Sequence, residues 1–263
     1  MNAKEKLAAG DVSGALEELN NAVRSDPARS DLRVFLFQVH CILGNWDRAL
    51  TQLEVLRELD ISSLPMCQTY DSLITCEVIR KKVFNGGTDP MILGEPEPWI
   101  ALLIQALSAD SNEAAQDLRE TAFDQAAVVS GSIDDNSFSW IADADSRLGP
   151  VLEAMIRGIY YWIPMGRVSR ISIDPPEDLR DLVWVPAQFT WSNGGEEVGF
   201  IPVRYPGSEN HDGVQIQLSR LTQWEECYEG GYYGLGQRQL VTDVGEYPLL
   251  SIDEILVNSA DSD

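Results

Sequence analysis

Along roughly the first 130 positions, apolar residues recur three and four apart, the spacing of a helix with one buried face. Leu16 and Leu19 share such a face, and Leu19 is answered by Leu53. The turns repeat as well. Gly10-Asp11-Val12-Ser13-Gly14-Ala15-Leu16 returns as Gly44-Asn45-Trp46-Asp47-Arg48-Ala49-Leu50, a displacement of 34 residues. Gly with Asp or Asn makes a tight turn, and the small Ala lets two helices approach closely. Asp26-Pro27 stops the second helix, because a residue before proline is pushed out of helical geometry. Further helices are predicted at 64–84, 97–108 and 111–129, the last with Asp110-x-x-Glu113 as a capping pair. Beyond 130 the pattern changes to short apolar runs separated by turn residues, as in strands. The predicted strands are Val151–Ile156, Ile159–Ile163, Val168–Ile173, Leu182–Trp191, Val198–Arg204 and Val214–Arg220. Ser192-Asn193-Gly194-Gly195 reads as a hairpin turn, and the tail is expected to fray from Ser259.

The 34-residue period is that of a tetratricopeptide repeat. The predicted fold is therefore α+β, with a tetratricopeptide-like helical-repeat domain over 1–130 and a mainly β domain over 131–263. The repeat is imperfect. Phe37 and Leu56 sit where small residues are usual, and Ile61 replaces the closing proline. Stacked hairpins form a solenoid whose inner face can hold a peptide or helix. By the period, Asp31, Val34, Gln38 and Cys41 face that groove and are the candidate partner-binding residues. The alternative is a rigid support whose groove is filled by the protein's own chain.

Charge narrows the function. Nineteen Lys plus Arg against 42 Asp plus Glu leave a formal −23. The excess is spread over both parts, −9 before residue 131 and −14 after it. Such a surface repels phosphate backbones and anionic membranes, so no nucleic-acid partner is expected. No apolar run reaches the roughly 20 residues of a membrane helix. With no signal-peptide core and four cysteines lacking CxxC spacing, the expected location is cytoplasmic and the thiols reduced.

Catalytic patterns are scarce. His40 falls on a packed helical face and His211 in a loop, and no metal ligand set, Walker loop or nucleophile elbow is present. No cofactor is expected. The densest polar run is Trp140 to Pro150, with Asp143, Asp145 and Arg147. A calcium loop is excluded there, because Leu148 and Ala154 occupy the turn-glycine and closing-glutamate positions. On a strand, Asp143, Asp145 and Arg147 point to one side and form a carboxylate–guanidinium network. An enzyme with its site around Asp143, Asp145, Arg147, Arg204 and Arg238 is the alternative to an interaction protein.

Several motifs together resemble the ImpE/SciE/TagJ family of type VI secretion accessory proteins. They are the repeat-like N-terminus, Trp140 to Pro150, Tyr161-Trp162-Ile163-Pro164 and Arg180-Asp181-Leu182-Val183-Trp184-x-Pro186-Ala187. The series continues with Pro202-x-Arg204-Tyr205-Pro206-Gly207-Ser208, Arg220-Leu221-Thr222-x-Trp224 and Gly234-x-Gly236-Gln237-Arg238. The resemblance implies a cytoplasmic, non-enzymatic adaptor that binds an N-terminal helix of the sheath subunit TssB and assists sheath disassembly by the ATPase ClpV. It marks Trp140, Asp143, Asp145, Arg147, Arg204, Tyr205, Arg220, Trp224 and Arg238 as a polar network.

Overall fold

The structure is a computed structural model that describes residues 2–258; the tail from Ser259 lies outside the described residues. Helices α1 (Ala3–Ala8) and α2 (Val12–Ser25) form one hairpin, and α3 (Ser30–Ile42) and α4 (Trp46–Leu59) a second. The two turns are hydrogen-bonded alike. Gly10 N–H donates to the Leu7 carbonyl at 3.0 Å and Asp11 N–H to Lys6 at 2.8 Å. At the shifted positions, Gly44 donates to Cys41 at 3.1 Å and Asn45 to His40 at 2.9 Å. Both glycines have positive φ, +84° and +63°, a conformation costly for a residue with a Cβ. Ala15 and Ala49 are fully buried where the helices meet. Where the closing proline is missing, Asp60 caps a short 3-10 turn, Ile61–Ser63, and Ile61 is left exposed.

Helix α5 (Leu64–Phe84) continues the array, and α6 (Pro98–Ala106) and α7 (Asn112–Gln125) form a further hairpin. The cap of α7 is Ser111, whose hydroxyl accepts from Ala114 N–H at 3.2 Å; Asp110, expected in that role, lies one residue too early. The helical stretch also contains a strand, β1 (Met91–Ile92), which pairs in parallel with the second part of the chain.

That second part supplies β2 (Gly131–Ile133), β3 (Asn136–Phe138), β4 (Ile141–Asp143), β5 (Val151–Ile156), β6 (Ile159–Pro164) and β7 (Val168–Ile173). It continues with β8 (Trp184–Trp191), β9 (Glu196–Pro202), a one-turn helix α8 (Val214–Gln217), β10 (Thr222–Tyr228) and β11 (Gly231–Gly236). The last strands are β12 (Gln239–Thr242), β13 (Glu246–Pro248) and β14 (Glu254–Val257). Eight of them, together with β1, form one sheet in the order β1-β6-β5-β9-β8-β7-β14-β2-β3. The β8–β9 hairpin turns at the expected Asn193-Gly194, with Gly194 at φ +83° and the Asn193 side chain accepting from Gly195 N–H at 3.0 Å.

Val214–Arg220 is not a strand. Its apolar alternation is that of a strand, but Leu218 N–H closes on the Val214 carbonyl at 2.9 Å and Arg220 N–H on Gln215 at 2.9 Å. The Gln217 amide donates to the His211 carbonyl at 2.9 Å, and Ser219 adopts φ +55°. The fold is α+β, tetratricopeptide-like helices followed by sheets.

Strand β5 is buried on both faces and shows how the layers meet. Val151 and Met155 join the core shared with the helices, while Leu152, Ala154 and Ile156 join a second core on the far side. The small sheet β13-β12-β4 covers that far side, contributing Ile141 and Leu240. The first core is continuous from Leu7 and Phe37 to Trp162, Trp184 and Leu218. One core spanning both parts is expected to unfold as a single cooperative unit. Urea unfolding followed by far-ultraviolet dichroism, which reads the helices, and by tryptophan fluorescence is expected to give one coincident transition. Two separated midpoints would contradict the shared core.

Candidate functional site

The alternation of β5 places Glu153 on the helix-facing side, between Val151 and Met155 and with no exposed surface. A bare carboxylate there costs several kcal/mol, so it must be paired. Arg80, on α5, meets it with both prongs, Nε to Oε1 at 2.6 Å and Nη2 to Oε2 at 2.9 Å. Arg238, just before β12, donates Nη2 to Oε2, and the Tyr160 hydroxyl donates to Oε1. Every lone-pair position of Glu153 is therefore occupied. Arg80 Nη2 also reaches the Arg204 carbonyl at 2.8 Å, and Nη1 lies 3.4 Å from Glu77.

Arg238 extends the chain of charges. Its Nη1 donates to Asp143 Oδ2 and its Nε to the Pro202 carbonyl at 2.9 Å. The other Asp143 oxygen accepts from the Tyr205 hydroxyl at 2.9 Å and from Asp145 N–H at 2.9 Å. Strand β4 ends at Asp143, so Asp145 and Arg147 sit on a loop rather than on the expected strand. Asp145 holds that loop together. It accepts from Arg147 Nε at 2.8 Å and from Arg147 N–H at 2.9 Å, and its Oδ2 takes Gly234 N–H at 2.8 Å. The Arg147 guanidinium lies over the Tyr233 and Phe84 rings, 4.5 and 5.0 Å from their centroids.

Burial and charge pull the two central carboxyls apart. Burial pushes Asp143 up to about 6, since Arg238 only partly offsets it and Asp145 adds a like charge. Burial would also raise Glu153, but Arg80 and Arg238 together outweigh it and hold it down at about 2.

Arg204 has a different role. It donates to the Ile42 carbonyl at 2.6 Å and to the Cys41 carbonyl at 3.1 Å, adding to the Gly44 N–H that the Cys41 carbonyl already accepts at the end of α3. A third bond runs to the Gln217 carbonyl at 2.9 Å. Arg204 thus caps a helix 162 residues earlier in the chain. Tyr205 and the half-buried Trp224 pack with ring centroids 5.6 Å apart. Trp140 and Arg220 stand outside this network, on exposed surface. Glu153, Arg80 and Tyr160 lie outside the motifs that mark the other members of the network. A lone Glu inside Val-Leu-Glu-Ala-Met-Ile was the available signal for the first.

A second candidate site is an open groove of about 850 Å³. Leu7 of α1, Leu19 and Ala22 of α2, and Leu32, Val34 and Phe35 of α3 supply its apolar surface. The other wall comes from the sheet part: Pro176 to Leu179, Leu182 and Arg220. Asp31, Val34 and Gln38 line it as placed by the repeat period. Cys41 does not. It is fully buried one turn further along α3, where Arg204 and the sheet part close over the helix end. The inner face of the array is thus partly filled by the protein's own chain and open beyond it.

A sequence model of the ImpE protein family matches residues 135–256, which hold Asp143, Glu153 and Arg238, and a tetratricopeptide-repeat model matches 6–60, which hold α2, α3 and α4. The chain is 48% identical over 260 residues to the type VI secretion system accessory component TagJ of Pseudomonas aeruginosa, covering 97% of this chain and 90% of that protein. The chain belongs to the ImpE/TagJ family. A crystal structure of a Vibrio parahaemolyticus protein is similar throughout, with a TM-score of 0.88 at 26% identity, covering 97% of each chain. Arg80 lies outside both matched segments of this ImpE-family chain, although its ion pair with Glu153 ties α5 to β5.

Two measurements test the cluster. Glu153→Ala strands Arg80 and Arg238 in the core and is expected to cost about 3–5 kcal/mol in urea unfolding, partly recovered in the Arg80→Met/Glu153→Ala double variant. An effect under about 1 kcal/mol would mean that the cluster is not stabilising. The second is the titration. Glu153, lowered in the fold, adds stability that is complete above its unfolded value of 4.5 and lost as pH falls toward 2. Asp143, raised in the fold, has the opposite sign and gives up stability as pH rises from its unfolded 3.8 through about 6. Carbon-13 carboxyl shifts should show Asp143 titrating near pH 6 while Glu153 stays flat down to pH 3.

Proposed function

We propose that this ImpE/TagJ-family protein is a non-enzymatic, cytoplasmic accessory protein of the type VI secretion system. In this reading it captures an N-terminal helix of the sheath subunit TssB in the groove between α1–α3 and the sheet part, and thereby assists ClpV-linked sheath disassembly. The observation that carries the reading is the groove itself. A tetratricopeptide-like array is a peptide-holding surface, and here an apolar stretch of its inner face stays open while the remainder is covered. The relative's description as an accessory component points the same way.

The enzymatic alternative draws on the buried charges, and their geometry argues against it. Both oxygens of Asp143 and of Glu153, and all three guanidinium nitrogens of Arg238, are bonded within the protein. A catalytic carboxylate needs a face open to substrate. Two smaller clefts flank the cluster and divide it, Asp143 bordering one and Arg80 with Arg147 the other. Among the described residues, no helix is long and apolar enough to cross a membrane.

An amphipathic helix in a groove is anchored by residues three and four apart. Val34 is half-buried on the groove wall, so Val34→Glu puts a charge on the contact surface without opening the core. Calorimetric titration with the N-terminal TssB peptide is expected to show binding that Val34→Glu weakens at least about tenfold, with unchanged dichroism. No heat at about 100 μM peptide removes TssB as the partner. Unchanged binding by the variant moves the site elsewhere.

A further inference from the structure

Arg220 belongs to one of the sequence motifs, yet it joins neither the ion-pair network nor the core. Its backbone is held firmly. Arg220 N–H donates to the Gln215 carbonyl at 2.9 Å, and the Leu221 carbonyl accepts from Gln237 N–H at 3.1 Å. The preceding Ser219, at φ +55°, donates its hydroxyl to the Leu182 carbonyl at 2.6 Å and accepts the Gln237 amide at 2.6 Å. On this pinned turn the Arg220 side chain is exposed and lines the groove. Among the described residues its guanidinium forms no ion pair.

The other charges of the groove sharpen the contrast. Four carboxylates line it, and three already have cations: Asp31 with Arg29 at 2.7 Å, Asp178 with Arg180 at 2.7 Å, and Glu18 with Lys6 at 3.9 Å. Only Glu177 is unmatched among them, against two unmatched cations, Lys4 on α1 and Arg220. In a chain of net −23, the groove is locally short of negative charge. The Debye length at physiological salt is about 8 Å, so distant carboxylates are screened and the contacts decide.

We propose that Arg220, assisted by Lys4, reads a carboxylate: the groove takes an amphipathic helix of a partner protein that carries Asp or Glu beside its apolar stripe. A planar guanidinium on a rigid base suits two-pronged pairing with such a carboxylate. This makes the sheet part, and not the repeat array alone, a determinant of partner choice. The inference rests on the groove reading above.

The test is a double-mutant cycle. An amphipathic peptide built on the TssB N-terminal helix with Glu placed beside its apolar stripe, and a copy with Gln at those positions, are titrated against wild-type protein, Arg220→Gln and Val34→Glu. Expected is about a tenfold loss on Arg220→Gln with the acidic peptide and none with the neutral copy, as for a charge-assisted pair. Arg220→Gln acting equally on both peptides, or on neither, overturns the proposal while a Val34→Glu effect keeps the groove. Wild-type protein binding neither peptide removes the proposal together with the reading it rests on. Self-association without peptide that Arg220→Gln abolishes overturns it in favour of a second copy of the chain. Unchanged thermal melting of Arg220→Gln is expected, since the side chain is exposed.

Discussion

The bidentate pair between Arg80 and Glu153 is the constraint on which the rest of the architecture depends. It places a helix of the repeat array and the middle of the large sheet at hydrogen-bonding distance inside a dry core. Such a pair is stable only when every donor and acceptor is met. Arg238, Tyr160, Glu77 and the Arg204 carbonyl meet them. Arg238 in turn holds Asp143 at the end of β4. Hydrophobic burial draws the two parts together without direction; the charges allow them one arrangement.

Arg204 works toward the same end from the opposite side. By supplying donors to the final carbonyls of α3, it holds the turn of the second repeat hairpin against the sheet part. The turn Leu179–Leu182 lies along the same helix, with Arg180 over the Tyr70 ring at 4.8 Å. The inner face of the array is therefore divided. Its deeper end, at Cys41, is core. Its outer end, at Asp31, Val34 and Gln38, stays open and gains a second wall. A solenoid of two hairpins is short for independent stability, and the sheet both stabilises it and shapes what it can hold.

The repeat and five of the strands, β5 to β9, were legible in the amino-acid order because their causes are local. Gly10 and Gly44 are needed at positive φ, Ala15 and Ala49 at close helix contacts, the near-continuous apolar run Val151–Ile156 in two-sided burial, and the alternating Val168–Ile173 in one-sided burial. Val214–Arg220 was misread because Val-Gln-Ile-Gln alternates as a strand does. Its backbone bonds close locally, Leu218 N–H on Val214 and Arg220 N–H on Gln215, and the segment coils instead.

The sequence alone determined the two textures of the chain, the turn positions, the acidity, and Asp143, Asp145, Arg147, Arg204 and Arg238 as residues of interest. It did not determine their partners. Arg80 and Glu153 are 73 residues apart, and Arg238 and Glu153 85 apart. Which charge meets which depends on strand order and on the face each strand presents. The same holds for the groove: the repeat period placed Asp31, Val34, Gln38 and Cys41 on one helical face, but only the docking of the sheet decided that Cys41 is sealed and that Arg220 faces the opening. Local spacing sets which way a side chain points from its own helix or strand; long-range packing sets what lies there to meet it.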